Sequence, residues 1–93
     1  MGHVRITDCK GFHFTFENGW TISVQFGPGS YCDNYDMGFE PASYKKAGEE
    51  GSSTAEIAIW KDKIWHDFGG DTVKGYVPIT EVFDWMKKVE TWT

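Results

Sequence analysis

Long apolar runs are missing from this chain. No stretch approaches the roughly 20 consecutive apolar residues that span a bilayer, so no membrane partner is expected. Basic charge is scarce too. Nine Lys and Arg against 14 Asp and Glu leave a formal charge of −5, whereas general nucleic-acid binders carry a basic face. Direct nucleic-acid binding is therefore not expected, and an acidic surface that docks on a basic protein stays open. Cysteine is limited to Cys9 and Cys32. No Cys-x-x-Cys pair supplies a zinc site, and His3, His13 and His66 have no metal-ligand spacing. Met1 to Arg5 has no apolar core of a secretory leader, so reduced thiols and a cytoplasmic location are expected. No P-loop, twelve-residue calcium loop or nucleophile motif occurs. Cys32 with His13 or His66 makes a nucleophile only on paper. Asp33, Asp36 and Glu40 read as a solvated acidic loop, and no cofactor or metal is expected.

Strand patterning, by contrast, is abundant. Phe12, Phe14 and Phe16 alternate with polar residues, as do Trp20, Ile22, Val24 and Phe26, on either side of Asn18-Gly19. That pattern predicts a β-hairpin. A two-residue Asn-Gly turn would set the phenylalanines on the face of Thr21, Ser23 and Gln25. A three-residue loop, Glu17-Asn18-Gly19, pairs Phe16 with Trp20 and keeps every apolar side chain on one face. It also puts Gly19 at the left-handed position of a bulged turn, where lacking a Cβ helps. The bulged register is preferred.

Val4–Thr7 reads as a short first strand, Thr54–Trp60 as another, and Ile64–Phe68 as its return after Lys61-Asp62-Lys63. An even loop would bring His66 to the face of Ile57 and Ile59; an odd one would bring Trp65. The alternation leaves both open. Thr80 reads as an N-cap, with Val82, Trp85, Met86 and Val89 giving an amphipathic helix from about Thr80 to Thr91. The expected fold is one α+β domain over 1–93. It has an antiparallel sheet of four to five strands, one C-terminal helix on one face, and a long central loop over 27–53. That loop reads either as a functional segment or as a short helix around Ala42 to Lys46 in an otherwise irregular excursion.

The central loop carries Tyr31, Tyr35, Phe39 and Tyr44. Aromatics in polar, glycine-bearing chain either stack on a base or anchor a contact, or fold back over the sheet edge. Gly27-Pro28-Gly29-Ser30 and the connector Gly69 to Gly75 can aim backbone amides at an anion, or simply make tight turns. Combined, these give a candidate ligand site. Tyr31 and Tyr35 stack on a base, Thr72 and Lys74 meet phosphate, and Asn34, Ser52 and Ser53 complete a polar rim. A pocket between subunits of a homo-oligomer is a further expectation.

Gly19–Tyr35 (GWTISVQFGPGSYCDNY), Ser52–Trp60 (SSTAEIAIW) and Asp67–Tyr76 (DFGGDTVKGY) together resemble a family of small uncharacterised phage and prophage proteins. The resemblance implies an accessory protein acting in the cytoplasm of a bacterial host, and such proteins often antagonise host defence. It supplies no catalytic residues. The expected function is a non-enzymatic binding protein that counters bacterial immunity by sequestering a nucleotide-type signal. The alternative is an acidic inhibitor of a host defence nuclease, with Asp33, Asp36, Glu40, Glu49 and Glu50 occupying a basic channel. An enzyme acting through Cys32 or His66 ranks third.

Overall fold

The alternating segments pair as their patterning requires. In the structure, a computed structural model that describes every residue except Met1 and Cys9, β1 (His3–Thr7), β2 (Gly11–Thr15) and β3 (Thr21–Gln25) form an antiparallel meander. Phe12 faces Val24 and Phe14 faces Ile22. At the hairpin end the Phe16 N–H donates to the Trp20 carbonyl at 2.8 Å, and the Gly19 N–H returns to Phe16 O at 3.0 Å. Gly19 has φ +90°. This is the bulged register, and it gathers Phe12, Phe14, Phe16, Trp20, Ile22, Val24 and Phe26 into one core.

Asn18 does more than turn the chain. Its side-chain amide donates to Val89 O and Trp92 O, each at 2.9 Å, and its carbonyl accepts the Trp20 N–H at 3.0 Å. The last carbonyls of a helix have no partner within it. Here a hairpin tip from the other end of the chain supplies one, and Trp20 packs edge-on against Trp92 beside it.

The centre of the sheet is β4 (Thr54–Lys61), where Ala55, Ile57 and Ile59 are fully buried. One edge of β4 pairs with β3. The other is divided between β5 (Ile64–Trp65) and β6 (Lys74–Pro78), making six strands where four to five were expected. The β4–β5 turn is the even one: Trp60 faces Trp65, and the His66 N–H donates to Ile59 O at 2.8 Å. His66 therefore joins the core face, between Phe68, Trp85 and Trp92. The return strand ends at Trp65 rather than Phe68. Beyond it the Asp67 carboxylate binds the amides of Gly69 and Gly70, and Phe68 N–H goes to Asp71 O. Local hydrogen bonds thus replace the ladder.

The described residues form two helices where one was expected. The C-terminal helix, α2, spans Ile79–Glu90, covers the core face and buries Val82 and Val89. Its N-cap is Pro78, not Thr80. The chain passes from β6 into the helix without a loop, and the first free amide, Ile79 N–H, is taken by Ser53 O at 3.1 Å. No hydroxyl is needed, and Thr80 stays exposed. The other helix, α1 (Pro41–Glu50), lies within the expected loop and contains the short helix around Ala42 to Lys46 that was one of its two readings, but is twice as long. Pro41 opens it, its fixed φ being suited to a first turn, and exposed Lys45–Glu49 and Lys46–Glu50 pairs line its outer side. Ala47 is its one buried residue, so it shows almost no apolar period. No described helix is long and apolar enough to cross a membrane.

Candidate functional site

The chain between β3 and β4 leaves the sheet at Phe26 and is stapled back by its own polar side chains. Asn34 is 4% exposed, and its amide donates to Phe26 O at 2.8 Å and Gly51 O at 3.2 Å, tying the start of the excursion to its end. The Asp33 carboxylate accepts three bonds: from Ser53 N–H (2.8 Å), Ser53 Oγ (2.6 Å) and Thr54 Oγ1 (2.7 Å). Ser52 Oγ donates to Thr54 O and accepts the Thr54 N–H. Cys32 lies underneath with its thiol on Gly27 O at 3.6 Å, and burial pushes that thiol up from its ordinary pKa. Both features disfavour a thiolate nucleophile. In a Cys9→Ser variant, Cys32 should react with iodoacetamide only on unfolding; labelling of the native protein at the rate of a free thiol would contradict this. Cys9, and with it the reading of the two thiols as reduced, lies outside the described residues.

Hydrogen bonds from Ser53, then Thr54, hold the Asp33 carboxyl below the usual aspartate value. A depressed folded pKa contributes stability that is complete above the unfolded value and lost as pH falls through the folded one. The staple should therefore be unaffected at neutral pH and release only in acid, below the ordinary aspartate range. A carboxyl NMR titration of Asp33 checks this; a midpoint at or above the ordinary value would refute it.

Pinned in this way, the segment runs beside β6. Opposite Glu56 the β4–β6 register shifts at Gly75-Tyr76, and Tyr76 sits at φ +52°. The bulge turns the Tyr76 N–H outward to Tyr31 O at 2.8 Å, while Tyr31 N–H donates to Glu56 Oε1 at 2.9 Å. The approach is close. A Cβ on Gly75 would lie 2.7 Å from the Tyr31 Cβ, so only glycine fits. Three rings result. Tyr31 and Tyr35 stack at 5.2 Å and 10°, Tyr76 leans toward Tyr31 at 6.5 Å, and the three are 49%, 40% and 53% exposed.

The surroundings of the rings are mainly acidic. Glu56 touches the Tyr31 amide. Partial burial and then the Asp36 carboxylate push the Tyr76 phenol up from its ordinary pKa. The neighbouring cleft, of about 410 Å³, is lined by Asp33, Asp36, Met37, Ser43 and Lys46, with Lys46 its one cation.

The sequence-derived site residues divide into groups. Tyr31 and Tyr35 form the exposed stack, and Ser53 is reached through Asp33. Asn34 and Ser52 serve as internal staples. Lys74 lies half-buried in β6 opposite Ile57. Thr72 lines a separate cleft with Asp67, Gly70 and Asp71. In that connector the amides do converge, but on the Asp67 carboxylate, whose pKa the Gly70 and then Gly69 bonds lower. A phosphate there would have to displace the chain's own anion. Tyr76 and Glu56 were missed by sequence reasoning. A bulge that turns Tyr76 outward interrupts the alternation of Lys74–Pro78, so this run reads as connector rather than strand.

Other chemistry-bearing groups are committed to packing. His13 lies edge-on to Trp60 at 5.0 Å with Nδ1 3.4 Å from Arg5 Nη2. Burial and then Arg5 lower its pKa. Among the described residues no group of three or more His, Cys, Asp or Glu could hold a metal ion. Compared with known proteins, the chain matches no family model, no curated protein and no solved structure.

Proposed function

We propose that the chain is a small non-enzymatic binding protein that presents the Tyr31–Tyr35–Tyr76 platform, with its acidic surroundings, to a basic protein partner. The observation that carries this reading is the combination of three exposed rings with Glu56 and Asp36 beside them. Ring faces are electron-rich and attract guanidinium and ammonium groups, and adjacent carboxylates add to the attraction. Aromatic anchors with a charged rim are what dominate protein interfaces. A formal charge of −5 would steer association with a basic surface and make it salt-dependent. In the phage setting that the sequence resembles, the fitting partner is a host defence nuclease whose basic channel the platform occupies, in the bacterial cytoplasm.

The second reading is sequestration of a nucleotide-type signal, and the near-parallel Tyr31–Tyr35 stack supports it. A flat aromatic pair offers an outer face to a base, and Lys46 in the adjoining cleft offers a cation for phosphate. A homo-oligomer would suit either reading. Strand β1 is an exposed edge with Val4 and Ile6 in solvent, the kind of edge that pairs with another chain.

Titration of the purified protein with a purified basic nuclease and with a panel of cyclic nucleotides separates the two. Nuclease inhibition that weakens with rising salt supports the leading reading. Saturable nucleotide binding without nuclease inhibition replaces it with the second. Light scattering over a range of concentrations reports on self-association.

A further inference from the structure

We propose that the groove between α1 and α2 is a binding site for an aliphatic chain. It lies on the sheet face opposite the strand side chains of Ser23 and Glu56 and does not involve the tyrosine platform. Phe12 and Phe26 form the floor, Ala47 and Gly48 one wall, and Phe83 and Met86 the other, enclosing about 320 Å³. That volume lies at the small end of small-molecule sites.

The lining specifies the chemistry of the occupant. None of the residues around the groove is charged. Its one side-chain hydroxyl, on Ser52, is already engaged with Thr54 in both directions. A nucleotide would find no partner for its phosphate. A peptide segment in extended form would bring backbone N–H and C=O groups that the groove leaves unpaired. A hydrocarbon chain demands nothing but burial. Met86, unbranched and flexible, suits a wall that must adapt to a chain.

Gly48 lies on one wall of the groove. It sits inside α1, where glycine is less favourable than alanine. No close backbone approach requires it, because a Cβ there would meet no atom within 4 Å. Its effect is to leave the wall of the groove without a side chain. The helix that carries it is also under-packed: α1 has ten residues and buries only Ala47, and a helix of that length is marginal without tertiary contacts. A chain lying in the groove would give α1 the apolar contact it lacks.

The test is titration of the ¹⁵N-labelled protein with 1-decanol, followed by NMR. Saturable shifts confined to the amides of Ala47, Gly48, Val82, Phe83 and Met86 are expected. Gly48→Ala should bind as well as the parent, since its Cβ enters open space. Gly48→Leu should weaken binding at least 10-fold by occupying the groove itself, and should raise the melting temperature. Met86→Gln, which places an amide in the wall, should also weaken it. Absence of saturable shifts in the parent protein overturns the proposal. So does unchanged binding in a folded Gly48→Leu or Met86→Gln variant.

Discussion

Asn18→Ala should lower stability by about 2–3 kcal/mol, a drop of roughly 10–20 °C in melting temperature for a domain of this size. A surface turn residue would ordinarily cost a few tenths. The difference lies in what the amide reaches. Its two hydrogens go to Val89 O and Trp92 O, and Glu90 O lies 3.4 Å away. Removing it leaves Trp92 O without that donor and takes one donor from Val89 O, which keeps the Trp92 N–H, at a helix end where Trp20 and Trp92 pack edge-on. Asn18→Asp should cost more, because a carboxylate would face carbonyl oxygens at the negative end of the helix dipole. Gly19→Ala tests the other half of the turn and should cost only about 1 kcal/mol, the left-handed penalty for a residue with a Cβ. Thermal unfolding of the three variants checks the order. Asn18→Ala melting within about 2 °C of the parent would mean that the contact is not a cap. Hydrogen exchange localises the effect, with the amides of α2's last turn losing protection first.

The Asn18 contact also marks how far the sequence could be read. Alternation at Phe12–Phe26 was enough to prefer the bulged register over the two-residue Asn-Gly turn, because that turn would split the apolar set across the sheet. Nothing local could show that the same turn would find α2, since that contact spans 71 residues. Similar physics explains the other departures. Helix α1 buries one small side chain and therefore carries no period. β6 holds a bulge, so Lys74–Pro78 does not alternate. Pro78 replaces the expected Thr80 cap because Ser53 O reaches the first amide from a neighbouring strand. The even β4–β5 loop, which the alternation left open, is settled by the His66 N–H on Ile59 O. At the candidate site, the legible part was the tyrosines, conspicuous in polar chain. Their partners Tyr76 and Glu56 were not legible, because they sit in strands where an aromatic and an acid on the outward face are unremarkable. The glycine connector read either as tight turns or as an anion nest, and the Asp67 and Asp71 carboxylates that take its amides were not foreseen.

The platform should lose most of its binding when Tyr31 is truncated, with little effect on the fold. Tyr31 is 49% exposed, and its structural contributions come from the backbone: the carbonyl on Tyr76 N–H and the N–H on Glu56. Alanine preserves both. It removes the ring that contacts both Tyr35 and Tyr76, so Tyr31→Ala should weaken the partner by about 30-fold or more, the scale of an interface anchor at 2 kcal/mol or above. Tyr31→Phe keeps the ring face and should bind within about threefold of the parent. A large loss in the phenylalanine variant would instead mean recognition through the hydroxyl. Glu56→Gln separates charge from geometry, because the amide oxygen can still accept the Tyr31 N–H. If the bound group is a cation, this substitution should weaken binding and flatten its salt dependence together. If the bound group is the base of an anionic nucleotide, removing a carboxylate beside the rings should strengthen it. The sign of that one change, measured by calorimetry at two salt concentrations, decides what the tyrosines hold.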